Sequence, residues 1–387
     1  MAELDRRTFL KTGALGAAVL GAGWPGTRSA AAHALAAERA TKRVILVAFA
    51  GGVRSRETLA TPTNVPSLKR LADEGVVYPR TRAANLGHFG ATLSILTGIA
   101  EARGIRENAR GEDPTLFEYV RKDLGFSPSE VWISTSGGAQ ESNLAYSLHP
   151  DYGAPYGANA LDGDGIFNAE FKGILDAYGQ PREMGEQERI LLDRMRAAIV
   201  DPDQKGSVKA VNTAETCARV EQFLLDELKR GTLDLRGMGA SDAKALRVAR
   251  NLLAVFRPRL LGVVLRDVDV AHANFNSYVE VIRRNDAMLG ELWAAVKKDP
   301  ELRDTTSIFV LPEFGRDADL NSRRGLDHGD GSDELNYVSI VAWGPGFRRG
   351  TSVQEEVRTI DVCNTVCDLL GADPRFARGR RLPKLLA

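Results

Sequence analysis

The sequence predicts a doubly wound α/β fold, built on a mostly parallel sheet with a helical insertion. Three observations carry that expectation. Val44 to Phe49 is an unbroken apolar run closed by Gly51 and Gly52, as a central strand buried on both faces should be. Comparable runs recur at 260–266, 306–311 and 337–343, and segments of helical spacing stand between them. A chain of 387 residues, 43% of them hydrophobic, has the material for a sizeable core.

The elements follow in order. Residues 41–50 form the first strand. Pro66 to Glu74 has helical spacing with Leu68 and Leu71 inward, and Pro66 suits a first helical turn. Further helices are expected at 90–97 and 114–124, and a strand at 130–135. Residues 136–166, rich in Gly, Asn and Asp, read as a loop. Helices at 167–178, 184–200, 214–229 and 241–256 then follow with no strand among them, so 136–257 is taken as an insertion. The alternation resumes with a strand at 260–266 and an amphipathic helix at 277–298, where Val279, Ile282, Leu289, Leu292, Trp293 and Val296 share one face. Strands at 306–311 and 337–343 and a helix at 359–370, ended by Gly371, complete the pattern.

Composition excludes several classes. The 51 Lys and Arg balance 51 Asp and Glu, without the basic excess of a nucleic-acid binder. Three cysteines cannot staple a fold of this size or form a four-cysteine zinc module. Cys363 and Cys367, one helical turn apart, read as small core residues. The first 36 residues read as a signal peptide. Arg6-Arg7-Thr8-Phe9-Leu10-Lys11 precedes a Gly- and Ala-rich run from Gly13 to Trp24, too short for a stable membrane span, and then small residues suited to cleavage. It looks like a twin-arginine signal, which implies the twin-arginine translocase as an export partner and a periplasmic or secreted location. The working protein is then the domain at 41–387.

The chemistry concentrates in histidines and carboxylates. Of the five histidines, His33 leaves with the signal and His149 sits before Pro150 in the insertion as a loop residue. The other three lie beside strand ends: His88 before a helix, His272 in Asp269-Val270-Ala271-His272, and His328 in Asp327-His328-Gly329. Glu313-Phe314-Gly315-Arg316 follows another strand. In open α/β sheets ligands bind outside the carboxyl ends of strands, so these segments are expected to converge. Imidazoles with carboxylates are the ligand set of borderline divalent metals.

Here the chain resembles a family. Asn64 to Val76, the helix ending Leu96-Thr97-Gly98, Val341-Ala342-Trp343-Gly344-Pro345-Gly346 and Asp361 to Gly371 look like the alkaline phosphatase and sulfatase superfamily, over about 43–135 and 258–375. The Ala50-Gly51-Gly52, His88, Asp269 to Phe275, Glu313 to Arg316 and Asp327 to Gly329 segments look more like a twin-arginine-exported branch of it, a domain family of unknown function. The resemblance implies an alkaline-phosphatase-like sheet and one or two divalent metals, zinc first, with manganese or calcium as alternatives. On it, Asp269, His272 and His328 hold one metal. Asp327 either joins them or supports His328. Glu313, His88 and Glu57 hold the other. Arg316, Arg54 and Arg56 clamp an anionic group.

The departures are informative. The position of the family's Ser, Thr or Cys nucleophile falls on His88, and Thr92, one turn further, lacks an adjacent base. No Cys-x-Pro-x-Arg sequence exists, which argues against a formylglycine sulfatase. Ala50-Gly51 stands where the family places its first Asp ligand. The expectation is therefore an exported, metal-dependent hydrolase of an ester, a phosphate ester first, with metal-activated water replacing the covalent nucleophile and His88 and Arg316 in catalytic roles. The alternatives are a non-catalytic metal- and anion-binding protein and a transferase acting on envelope glycans.

Overall fold

The computed structural model describes residues 40–101, 103, 108–137, 143–162, 181–198, 213–230 and 235–387. The expected signal peptide and the helix expected at 167–178 lie outside them. Among the described residues nine strands make one sheet in the order β4-β3-β5-β1-β6-β7-β2-β8, with β9 also pairing β2. They are β1 (Arg43–Phe49), β2 (Val76–Arg82), β3 (Val131–Thr135), β4 (Asn159–Asp162), β5 (Leu260–Leu265), β6 (Thr306–Pro312), β7 (Tyr337–Trp343), β8 (Thr351–Ser352) and β9 (Val357–Arg358). The chain is parallel throughout the half centred on β1, and β7 runs antiparallel to both β6 and β2.

Side chains alternate across a strand, and β1 uses both faces. Ile45, Val47 and Phe49 enter one core, while Val44, Leu46 and Ala48 enter the other. The first core is covered by α1 (Pro66–Asp73) through Leu68 and Leu71. The second takes Leu93, Ile95 and Leu96 from α2 (His88–Thr97) and Phe117 and Val120 from α3 (Leu116–Leu124). Helices α4 (Glu186–Ala198), α5 (Ala214–Arg230) and α6 (Ala240–Phe256) belong to the expected insertion, and α5 and α6 add Phe223, Leu246 and Leu252 to the first core. The long α7 (Phe275–Lys298) adds Ile282, Leu289 and Val296 there. After the short α8 (Pro300–Thr305) and α9 (Asp333–Asn336), α10 (Asp361–Leu370) closes the second core with Val362 and Val366. The result is a sheet between two helical layers.

One strand was not expected and another corrects the sequence reading. β2 carries Pro79, which argues against a strand, yet it pairs with β7 because the register breaks between Tyr78 and Thr81 and absorbs the proline. β4 lies within the stretch read as a loop; its four residues pair with β3 at the sheet edge, so 136–257 is not strand-free.

Candidate metal centre

The ends of β1, β5 and β6 and the start of α2 meet at one point. Glu313 N–H donates to Phe49 O at 3.1 Å and Val53 N–H to Phe314 O at 2.9 Å, which ties the β6 loop to the β1 loop. Gly51 allows β5's loop to close on them: a Cβ there would stand 2.6 Å from Asp269 N and 2.8 Å from Arg266 O. Position 51 thus has room for no side chain at all.

His88 opens α2 and is 2% exposed. Its Nδ1 lies 2.6 Å from Glu313 Oε1, and Thr92, on the same helix face one turn later, donates its hydroxyl to Glu313 Oε2 at 2.6 Å. His272 ends a short 3-10 helix, Asp267–His272, with Nδ1 2.6 Å from Asp327 Oδ1. Carboxylates only accept, so Nδ1 of both rings carries a proton, which leaves Nε2 as the atom of each that can face a metal. Leu326 N–H donates to Ala271 O at 2.7 Å, which brings the next residues, including His328, against His272. The His328 ring centroid is 4.7 Å from that of His88 and 5.0 Å from that of His272. One ligand nitrogen from each of the three rings lies within 4.8 Å of the other two. Phe314 packs on His88 and His328 with ring centroids 5.0 and 5.1 Å away.

Asp269 completes the cluster, with Oδ1 3.1 Å from His88 Nε2 and 3.4 Å from His272 Nε2. His88 Nε2 nevertheless makes no hydrogen bond, an orphaned donor-acceptor atom in a buried place. Burial works to lower the His88 pKa, but the charges of Glu313 and Asp269 prevail and raise it to about 9. His328 is lowered to about 4, first by burial and then by the neighbouring charges of His88 and Arg316. Burial raises the Asp269 pKa, yet His88 and Arg316 together hold it well below the usual carboxylate range. The cluster has a closed floor and an open mouth: Glu313 is fully buried, whereas the His272 and Asp327 side chains are 33% and 42% exposed.

Several expected roles differ from what the geometry shows. Glu313 spends one oxygen on His88 and the other on Thr92, so it orients His88 and is not itself free to ligate. Asp327 lies against His272 Nδ1, where a place among the metal ligands or support of His328 was expected. Glu57 stands outside the cluster because Arg54 takes both its oxygens, Nε to Oε2 at 2.8 Å and Nη2 to Oε1 at 2.7 Å. The remaining Arg54 nitrogen donates to Asp317 O and Ala318 O, and the guanidinium is buried, away from any anion in solvent. Arg316 is equally committed, to Gly51 O, Gly52 O, Leu326 O and the Asp269 carboxylate. Arg56 alone of the three arginines is exposed. Thr92 and Phe314 are the residues that sequence reasoning misplaced or missed. The spacing of four between His88 and Thr92 was the available signal for the first.

No family model matches the chain, and no curated protein sequence matches it. Solved structures do. The alkaline phosphatase PafA superposes with a TM-score of 0.57 at 10% identity, over 90% of this chain and 99% of that one. A quadruple-substitution variant of PafA gives 0.58 at 11% identity over the same shares. The chain has the alkaline-phosphatase-like fold. The PsFucS1 sulfatase from Pseudoalteromonas sp. shares that alkaline-phosphatase-like fold at a TM-score of 0.51 and 13% identity, over 90% of this chain and 72% of its own. At identities this low the likeness is one of fold.

The residues present fit a metal ion. Three imidazoles, two with tautomers fixed by carboxylates, and Asp269 form a nitrogen and oxygen donor set suited to a borderline divalent ion. The unpartnered Nε2 of buried His88 is the atom such an ion would satisfy.

Proposed function

We propose that the chain is an exported, metal-dependent hydrolase of esters, phosphate esters first, in which water attacks. The observation that carries this is the three-histidine cluster with Nδ1 of His88 and His272 each held by a carboxylate. The fold shared with a phosphatase and a sulfatase supports it. His88, His272, His328 and Asp269 would hold the ion, with zinc favoured over manganese or calcium by the imidazole count. A divalent metal supplies a Lewis acid that polarises an ester oxygen and lowers the pKa of water from 15.7 to about 7.

The chain's own residues do the rest. Glu313 keeps the His88 proton on Nδ1, and Asp327 does the same for His272. Arg316 fixes Asp269 rather than the substrate. Phe314 covers the inner rings and keeps that side dry, while the open mouth beside His272 and Asp327 admits the ester. Thr92 was expected to lack an adjacent base; Glu313 stands 2.6 Å from its hydroxyl, but Thr92 is buried, 2% exposed, and is given no nucleophilic role. Export through the twin-arginine route, on the Arg6-Arg7 motif, belongs to the same proposal; among the described residues no helix is long and apolar enough to cross a membrane.

The orphaned His88 Nε2 also favours a second reading, in which that nitrogen, once it has given up its proton, attacks phosphorus. The P–O bond to the alcohol breaks with the proton leaving on the alcohol, and water then cleaves the P–N bond. Assay of phosphate monoesters, phosphate diesters and sulfate esters before and after chelation separates these. Water attack is expected to show turnover lost on chelation and restored by zinc, with His88→Ala losing both turnover and metal. Histidine attack would leave an acid-labile phosphoryl label on His88 and keep metal in the variant. Bound metal without turnover on any ester would favour the non-catalytic binder. Full activity with metal retained in His88→Ala would contradict both catalytic versions.

A further inference from the structure

Apart from the histidine cluster, a cleft of about 570 Å³ opens between the loop after β1 and the first turns of α7. None of His88, Asp269, His272 or His328 lines it. Its size suits a small organic ligand, and its largely polar wall suits a charged one. Both sides carry a guanidinium. Arg283, on α7, is held in place, with Nε and Nη2 donating to Asn64 Oδ1 at 3.0 and 2.9 Å. Asn64 is itself buried, 6% exposed, and its Nδ2 donates to Glu57 O at 3.0 Å. Arg56, on the β1 loop, is exposed and its side chain has no partner among the described residues.

The charge does not cancel. Of the two carboxylates on the wall, Glu57 is neutralised by the bidentate Arg54, and Glu280 reaches Arg283 only at 3.9 Å. Arg56 is left in excess. Phe275 and Val279, partly buried on the same turns of α7, offer an apolar strip.

We propose that this cleft is a binding site for a small organic anion, with Arg56 and Arg283 on its anionic group and Phe275 and Val279 under its apolar part. Arg56 can offer its fork and Arg283, with Nε and Nη2 on Asn64, offers Nη1; charged contacts of this kind bind carboxylate and phosphoryl groups alike. The site stands whether or not the cluster hydrolyses esters, because no residue is shared. α7 starts three residues after His272, so an anion here sits at the same end of the sheet as the cluster.

Calorimetric titration of the full chain with phenylphosphonate, with benzoate and with neutral benzyl alcohol tests it. Saturable binding of at least one of the two anions is expected, and the stronger one identifies the group; the alcohol should not bind. Arg283→Ala and Arg56→Ala, both at exposed positions, should each weaken the bound anion about tenfold or more, as loss of a charged hydrogen bond implies. His328→Ala should leave it unchanged. Absence of saturable binding by both anions would overturn the proposal. So would binding indifferent to both arginine variants, and loss confined to His328→Ala would assign the anion to the histidine cluster instead.

Discussion

His88 holds a proton where the cluster needs a lone pair. With its pKa raised to about 9 against the pull of burial, the metal-free ring is charged at neutral pH, while His328, at about 4, is not. A divalent ion and that proton compete for one nitrogen. Zinc titrated into metal-free protein at about pH 7.5, in buffers of different ionisation enthalpy, should release about one proton per ion. Glu313→Gln removes the largest charge holding the proton and should cut that release; absence of release in the parent protein would contradict the assignment. The stability of the metal-free form follows the same shifts. The folded His88 pKa lies above its ordinary 6.5, so its contribution is complete below that and lost as pH rises through about 9. His328 does the reverse: its contribution is present above 6.5 and lost as pH falls through about 4.

Single residues also show the reach of sequence reasoning. Asp269, His272 and His328 were readable as neighbours because each follows a strand or precedes one in a Gly-rich loop. Glu57 was not separable from them: whether a carboxylate faces a metal or the arginine three residues before it depends on how the loop turns. Gly51 was legible as a missing ligand but not as a steric necessity. Gly51→Ala should cost about 1–3 kcal/mol, as overpacking does, and should weaken zinc binding by displacing Asp269. Thermal unfolding together with zinc affinity checks it, and a neutral substitution would show that the β1 and β5 loops are looser than the contacts at Gly51 require.

Among the elements, the buried strands were the most legible, since an apolar run flanked by glycine has few other uses. Short edge strands were not, because β4 carries no such run and Pro79 masks β2. Helix starts illustrate the same limit. The N-caps of α1 and α6 are Val65 and Gly239, neither with a capping side chain. Their first N–H groups are satisfied from elsewhere in the chain. Asp286, on α7, accepts from Ser67 N and Leu68 N at 2.9 and 2.7 Å. Asp267, after β5, accepts from Ser241 N and Asp242 N at 2.9 and 3.1 Å. Such caps come from tertiary structure, where local spacing gives no signal. The second has a consequence for pH. Asp242 is fully buried against Asp267, and burial first, then that neighbouring charge, raises its pKa to about 7. A carboxyl group raised this way binds its proton more tightly folded than unfolded. Its contribution is therefore present below about 4 and lost as pH rises through about 7. Asp242→Asn should flatten the decline in melting temperature across that window, and an unchanged slope would locate the proton elsewhere.

The whole molecule is a device for bringing strand ends together. β1, β5 and β6 are adjacent and parallel, so their carboxyl ends deliver Gly51, Asp269 and Glu313 to one place, and α2 adds His88 from the side. That convergence was legible from the order of strands and helices alone. The cleft beside α7 was not, because Arg283 and Asn64 are far apart in sequence and neither is unusual in its setting. The central claim is that three imidazoles and Asp269 hold a metal. Elemental analysis of purified protein beside His88→Ala, His272→Ala and His328→Ala tests it most directly. About one zinc per parent chain is expected, as for a site of this donor set, with each variant losing most of it while staying folded by circular dichroism. A metal-free parent protein that takes up no zinc, or full zinc content in all three variants, would contradict it.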